Sequence, residues 1–357
     1  MKSFGKADAL PGKFGNNMNI LITGSDGYIG SVLGPYLVNK GFHVTGLDTG
    51  FYKGKPFYNG MPQLTHTINK DIRKISRPDL FNINSVIHLA ELSNDPLGEN
   101  DPKTTYKINH LGTKYLASEC KKAEVAQFIY FSSCSVYGAS AKIMTEESEL
   151  NPQTEYAKCK VLNEEILLSL ADNQFSPVIL RNATVFGVSP RMRFDLVVNN
   201  LTGLAYTTGE IKMESDGKAF RPLVHIKDVC RAVELVLKSP VKKTYGQIFN
   251  LGKTASNFQI KKIAKTIGSE LPGCRISYNK KGADKRNYKV NFSKIKKYFP
   301  EFSGLITLKE GIKELVNVYK EVNLNKKIFS AADYTRLARL KSLLENKKLN
   351  SDLYWSN

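Results

Sequence analysis

The segment Ile20-Leu-Ile-Thr-Gly24-Ser-Asp-Gly27-Tyr-Ile-Gly30 constrains this chain more than any other stretch of it. An apolar run ends at a glycine, two more glycines follow at three-residue intervals, and an apolar pattern of helical period begins (Ile29, Val32, Leu33, Tyr36, Leu37). The order is strand, tight turn, helix N-terminus. A helix start carries unpaired N–H groups and a partial positive charge, which suit a pyrophosphate. Glycines let the turn bend and let a phosphate approach the backbone. An ordinary strand–helix turn can also show spaced glycines, so the flanks decide. The next apolar run, Phe42-His-Val-Thr-Gly-Leu-Asp48, ends in an acid 24 residues past Gly24, where a ribose hydroxyl would be held. Asp48 would repel a 2′-phosphate, so the pattern predicts NAD. The expected cofactor contacts here are Gly24, Asp26, Gly27, Tyr28, Ile29, Gly30 and Asp48.

Strand-like runs then alternate with helical patterns up to residue 182. The expected strands are 18–23, 42–47, 64–69, 84–89, 127–132 and 177–182, and the expected helices 28–40, 103–123 and 154–172. This alternation predicts an α/β fold, a Rossmann-type doubly wound parallel sheet. Runs such as Ser85-Val-Ile-His-Leu-Ala90 are apolar enough for strands buried on both faces. Beyond 183 the alternation loosens into Gly-, Ser- and Arg-rich loops with helices near 194–206, 227–238, 257–270 and 305–322. The division expected is a flexible tail over 1–17 (or an overhang before a start at Met18), a cofactor domain over 18–182, a smaller C-terminal substrate-binding lobe over 183–330, and a helical extension over 331–357. In that extension Tyr334, Leu337, Leu340 and Leu344 recur at helical spacing, which fits packing on the body or on a partner.

The 357 residues suffice for a full core, and no apolar run approaches the ~20 residues that span a bilayer. Five cysteines without a CxxC pair indicate neither a disulfide framework nor a zinc site, and no metal is expected. A reducing cytoplasm fits. The net charge of +19 lies wholly in the second half: residues 1–180 hold 18 Lys/Arg against 18 Asp/Glu, and residues 181–357 hold 34 against 15. Either that half handles a polyanion or phosphorylated substrate, or its lysines form a solvated face.

Two clusters carry the chemistry. Phe131-Ser132-Ser133-Cys134-Ser135-Val136-Tyr137-Gly138 follows a strand, and Tyr156-Ala-Lys158-Cys-Lys160 opens a helix after Asn151-Pro152. A Tyr and a Lys four apart share a helix face. A phenol of ordinary pKa about 10 gains phenolate character beside an ammonium and a nicotinamide cation, which makes Tyr156 a general base. Lys160 would also hold the nicotinamide ribose, and Ser133 the substrate oxygen.

In sum, Thr23-Gly24-x-x-Gly27-x-x-Gly30, Asp48, Asp71-Ile72, His88-Leu89-Ala90, Asn109, Ser133 and Tyr156-x-x-x-Lys160 resemble the extended short-chain dehydrogenases/reductases, and more narrowly their NAD-dependent nucleotide-sugar epimerases and dehydratases. The resemblance runs from about Met18 to Glu321. It implies a retained NAD, Asp71 and Ile72 at the adenine, Leu89 and Ala90 in the cofactor cleft, Asn109 bracing the central helix, and Ser133, Tyr156 and Lys160 as catalytic trio. Leu180-Arg181-Asn-Ala-Thr184-Val-Phe-Gly187 resembles the segment beside the nicotinamide and the nucleotide sugar, with Thr184 where many relatives have Asn. Arg221-Pro-Leu-Val-His225-Ile-x-Asp228 and Asp284-Lys-Arg286-Asn-Tyr288 resemble segments whose arginines grip the substrate diphosphate, a task suited to guanidinium forks. Ser189-Pro-Arg191-Met-Arg193 is similar to a segment flanking the sugar-nucleotide cleft in a subset of the family, which implicates Arg191. A homodimer built on the helices 103–123 and 154–172 is the family expectation.

Dehydratases of this kind carry an Asp-Glu pair where this chain has Cys134 and Ser135, a poor acid/base pair. The expected activity is therefore epimerisation of a nucleotide-diphosphate sugar, at C4 through a transient 4-keto sugar. A dehydratase or a 4-keto reductase/dehydrogenase is the alternative. A related RNA-binding protein would not need all three catalytic residues, and no nucleic acid or membrane partner is expected. Cys134 is either an inert buried thiol or a proton shuttle. Glu91 stands where many relatives carry a small residue, and is either an exposed loop carboxylate or a group that meets the cofactor or acts as an acid.

Overall fold

A computed structural model describes residues 18–59, 64, 66–93, 95–213, 215–279 and 287–356. Its centre is a sheet of seven strands: β1 (Asn19–Thr23), β2 (His43–Asp48), β3 (Thr67–Asn69), β4 (Ser85–His88), β5 (Gln127–Ser133), β6 (Ser176–Asn182) and β7 (Ile248–Leu251). Their spatial order is β7-β6-β5-β4-β1-β2-β3, and every pairing is parallel. Ile20 of β1 lies level with Val44 of β2 and Ser85 of β4. The order reverses between β1 and β4, which opens a crevice at the carboxyl ends of these two strands.

Side chains alternate across the strands with period two, and both faces are covered. Ile20 and Ile22 face a core shared with Leu33 and Leu37 of helix α1 (Gly30–Asn39). Leu21 faces the opposite core with Leu116, Phe128 and Leu167, the last from helix α3 (Glu155–Leu170). Leu116 belongs to α2, which is less regular than the sequence pattern predicts. It runs as Pro102–Thr105, a wide π turn over Tyr106–Gly112, then Thr113–Lys122. In that turn the Asn109 carbonyl accepts from Thr113 Oγ1 at 2.6 Å and Asn163 Nδ2 at 2.7 Å. These side-chain donors satisfy a carbonyl that the widened turn displaces from the regular ladder.

The other elements shift modestly from expectation. β3 is shorter, and the pattern at 257–270 divides into a strand, Asn257–Gln259, and a helix, Ile260–Glu270. The second half forms a three-stranded sheet (Thr184–Phe186, Phe220–His225, Asn257–Gln259) covered by helices Val197–Thr208, Ile226–Lys238 and Leu308–Glu321. It also returns β7 to the main sheet. The extension folds back on the body: Leu340, Leu343, Leu349 and Leu353 are buried with Phe51, Leu92 and Ile108.

One buried polar network ties β5, β6 and α3 together. Arg181 donates to Glu164 through Nε and Nη2 at 2.6–3.1 Å, Ser132 Oγ donates to the same carboxylate at 2.5 Å, and Arg181 Nη1 donates to the Tyr137 hydroxyl at 2.9 Å. Removing one member of such a pair strands a buried charge. Glu164→Ala is therefore expected to cost about 3–5 kcal/mol of unfolding free energy, measured by urea denaturation. A loss below ~1 kcal/mol would show that Arg181 finds another anion or water.

Candidate active site

The crevice at the β1/β4 switch opens into a cavity of about 420 Å³. Its floor is the glycine turn. Gly24 has φ +75°, and a Cβ there would meet Ala90 N at 2.8 Å and Leu89 C at 2.9 Å. A Cβ on Gly30 would meet Gly24 O at 2.3 Å and Ser25 Cα at 2.7 Å. Helix α1 can thus begin directly under the turn only with hydrogen at these positions, and the turn can touch the end of β4. Asp48 closes the other side. Its Oδ2 accepts from Asp26 N at 3.0 Å and its Oδ1 from Gly50 N at 2.8 Å. Burial first, and the nearby Asp26 second, push its carboxyl up to about 6 against those two hydrogen bonds.

Of the residues expected at the cofactor, Gly24, Gly27, Tyr28, Ile29, Gly30, Asp48, Asp71, Ile72, Leu89 and Ala90 line this cavity. Asp26 and Asn109 act from behind the wall. Asp26 offers its amide to Asp48, and the Asn109 side chain accepts from Leu92 N at 2.8 Å and donates to Leu92 O at 3.1 Å.

Ser133, Tyr156 and Lys160 converge on the same cavity from the end of β5 and the first turns of α3. Thr154 caps that helix, accepting from Ala157 N at 3.2 Å. Burial, then the Glu91 and Asp95 carboxylates, hold the Tyr156 phenol well above its ordinary pKa, while a hydrogen bond with Ser133 works the other way. The Lys160 ammonium lies 5.4 Å from the Tyr156 ring centre and 4.7 Å from that of Tyr130. Its Nζ donates to the Phe131 carbonyl and forms an ion pair with Glu91 Oε2 at 2.5 Å.

Glu91 is no exposed loop carboxylate. Its side chain is 3% exposed, pairs with Lys160, and accepts from the Tyr130 hydroxyl at 2.7 Å and Asn163 Nδ2 at 3.3 Å. Asn163 also donates to the Asn109 carbonyl, so the π turn of α2 supports this buried anion. Cys134 is the inert thiol: buried outside the cavity wall, it donates to the Arg181 carbonyl, and burial pushes its pKa far up. Ser135 does line the cavity, and its buried hydroxyl has no partner among the described residues. An unpartnered buried hydroxyl on a cavity-lining residue fits a polar ligand.

The second half contributes Thr184, Arg221 and Tyr288 to the wall. Arg191 stands off it, donating to the Gly54 carbonyl, while Arg193 two residues on reaches the cavity in a bidentate pair with Asp195, both contacts 2.9 Å. Arg286 lies outside the described residues. His225 and Asp228 serve the fold, His225 beside Glu314 at 3.2 Å and Asp228 accepting from Ile306 N at 2.8 Å. Of the many cations in this half, only Arg193, Arg221 and Arg336 line the cavity among the described residues. Sequence reasoning missed Arg193, Tyr52 and Arg336. The last had a signal: it shares the buried face of its helix with Leu340 and Leu343, four and seven positions on.

The glycine cradle, the acid at the end of β2 and the orphaned hydroxyl all fit a dinucleotide and a polar substrate side by side. A family model for the NAD dependent epimerase/dehydratase family matches residues 20–252. The chain is 28% identical over 291 residues to a UDP-glucose 4-epimerase of Bacillus subtilis, covering 71% of this chain and 84% of that one. It is 26% identical over 324 residues to a UDP-N-acetyl-alpha-D-glucosaminuronate decarboxylase of Bacillus cytotoxicus, covering 85% and 98%. The solved structure of MoeE5 in complex with UDP-glucuronic acid and NAD superposes with a TM-score of 0.72 at 25% identity, covering 85% of this chain and 99% of that one. With its parallel sheet, its glycine-floored crevice and its Ser-Tyr-Lys wall, this chain belongs to the NAD-dependent epimerase/dehydratase family.

Proposed function

We propose that the protein is a nucleotide-sugar epimerase acting at C4 through a transient 4-keto sugar. The observation that carries this reading is the wall of Ser133, Tyr156 and Lys160 facing the dinucleotide crevice without a carboxylate pair at positions 134 and 135. The residues that would hold NAD are those of the glycine turn, Asp48, Asp71, Ile72 and Lys160. When bound, NAD supplies a hydride acceptor and a positive charge that favours the Tyr156 phenolate. Tyr156 takes the proton of the sugar hydroxyl and returns it after the keto sugar has presented its other face. Ser133 and Ser135 hydrogen-bond sugar oxygens. Arg221, which lines the cavity along with Thr184 and Tyr288, receives the substrate's diphosphate from the second lobe, and Arg286 is assigned to the same diphosphate. Elimination of water needs an acid for the departing hydroxyl, and a serine hydroxyl beside a buried thiol supplies none.

We also infer a homodimer in a reducing, cytoplasmic compartment. All five cysteines are free, and no helix among the described residues is long and apolar enough to cross a membrane. Tyr106, Leu111 and Tyr115 stand exposed on the long helix α2, where a second copy would cover them.

Incubation with a panel of UDP- and dTDP-sugars, followed by NMR and mass spectrometry, is expected to give an isomer of unchanged mass. A product lighter by one water would replace the epimerase reading with the dehydratase, and net NADH release would replace it with a dehydrogenase. Tyr156→Phe should cut turnover roughly 10²–10⁴-fold with an unaltered circular dichroism spectrum; wild-type turnover would remove the phenol from its role. Glu91→Gln deletes an anion that raises the Tyr156 pKa and frees the charge of Lys160. Both effects favour the phenolate, so the rising limb of the pH–rate profile should move down by about one pH unit. An unmoved or upward-shifted limb would contradict that sign. Light scattering at micromolar concentration should report a dimer that Leu111→Glu weakens, and a wild-type monomer would exclude this interface.

A further inference from the structure

The helical extension carries one residue that packing does not account for. Arg336 opens the helix Arg336–Glu345, is only 3% exposed, and lines the dinucleotide cavity. Its guanidinium lies over the Tyr52 ring, 3.9 Å from the centre. Among the described residues it has neither a hydrogen bond nor a carboxylate partner within 4.0 Å. The acids near it are otherwise engaged. Asp195 is held bidentately by Arg193, and Asp48 by the amides of Asp26 and Gly50. The Tyr52 hydroxyl beneath it is also buried and without a partner, and it too belongs to a cavity-lining residue. A buried cation and a buried phenol, both unsatisfied, are expensive unless a ligand completes them. Burial pulls the Arg336 pKa down to about 10, which is the electrostatic face of the same deficit.

The rest of the extension is moored to the two segments that edge this part of the cavity. Trp355 Nε1 donates to the Thr49 carbonyl at 2.6 Å and Arg339 Nε to the Phe51 carbonyl at 3.1 Å. Tyr354 lies under the Arg73 guanidinium at 3.9 Å, and Arg73 Nη1 donates to the Asp352 carbonyl at 2.9 Å. Thr49–Phe51 follow Asp48 directly, and Arg73 follows Asp71 and Ile72.

We propose that the extension is a cofactor clasp in which Arg336 and Tyr52 bind the diphosphate of the dinucleotide opposite the glycine turn. The inference rests on the family's use of NAD and adds a recognition element from outside the glycine motif. A diphosphate fits better than a 2′-phosphate, because the latter would sit against the Asp48 carboxylate. Guanidinium and phenol donors both suit phosphate oxygens.

The test is calorimetric titration of the full-length protein, stripped of any retained cofactor, with NAD⁺, NADP⁺ and UDP. Arg336→Met keeps an apolar stem over Tyr52 and removes the charge; Tyr52→Phe keeps the ring and removes the hydroxyl; Arg336→Lys keeps the charge. Arg336→Met is expected to weaken NAD⁺ binding roughly 10–100-fold and to flatten its salt dependence, with UDP binding unchanged. Tyr52→Phe should show a smaller loss, and Arg336→Lys should retain the salt dependence. NAD⁺ affinity within twofold of wild type in Arg336→Met would overturn the clasp while leaving the cofactor assignment intact. A loss confined to UDP or to NADP⁺ would overturn it in favour of the substrate diphosphate or a 2′-phosphate. A wild-type protein that takes up no dinucleotide would overturn the cofactor reading of the cavity itself.

Discussion

The approach of one backbone to another, where β1 ends against β4, sets the terms for this molecule. Gly24 lies so close to Leu89 and Ala90, and Gly30 so close to the Gly24 carbonyl, that a single methyl group at either position would collide with main chain. That closeness brings the start of α1 beneath the crevice and aims its unpaired N–H groups into it. It also fixes the ends of β4 and β5 relative to the turn, and with them Glu91 and Ser133. Ser133 is thus positioned by strand register, the most rigid reference a parallel sheet offers, and Tyr156 and Lys160 by the helix α3 packed on that sheet.

Charge inside this crevice is balanced in a particular way. Lys160 meets Glu91, Arg193 meets Asp195, and Arg181 meets Glu164 just behind the wall. Each is a close pair with little solvent around it, so each partner's charge is largely spent locally. Arg336 and the hydroxyls of Ser135 and Tyr52 take no part in these pairs and retain capacity for a ligand. Lys160 is intermediate, since the carboxylate beside it restrains the effect of its ammonium on Tyr156. Burial raises the Tyr156 pKa most, and the Glu91 and Asp95 carboxylates add to it.

Much of this was legible in the chain because it is encoded at short range. The glycine triplet, the acid ending β2, and the Tyr and Lys one helical turn apart are local patterns, and the structure gathers them in one cavity. What escaped the sequence depends on distant partners. Glu91 reads as a loop acid until α3 delivers Lys160 and Asn163 to it. Arg191 and Arg193 are equivalent on paper, and the course of one loop sends the first to Gly54 and the second to the cavity. Arg336 shares the buried face of its helix with Leu340 and Leu343, a spacing that does not indicate what the guanidinium faces. The break in α2 at Tyr106–Gly112 has no marker in helical periodicity, since it exists to meet Asn163 across the interface with α3.

The return of β7 to the main sheet has a consequence for biosynthesis. β6 pairs with β5 on one side and with Ile248–Leu251 on the other, and the latter leaves the ribosome some seventy residues after β6 does. During that interval the nascent sheet carries an open, apolar edge at Ile179 and Leu180, of the kind that recruits stray strands. Translation of the loops and helices between Ala183 and Gln247 is therefore a window of vulnerability, one that closes only when the chain lays its own last strand along that edge.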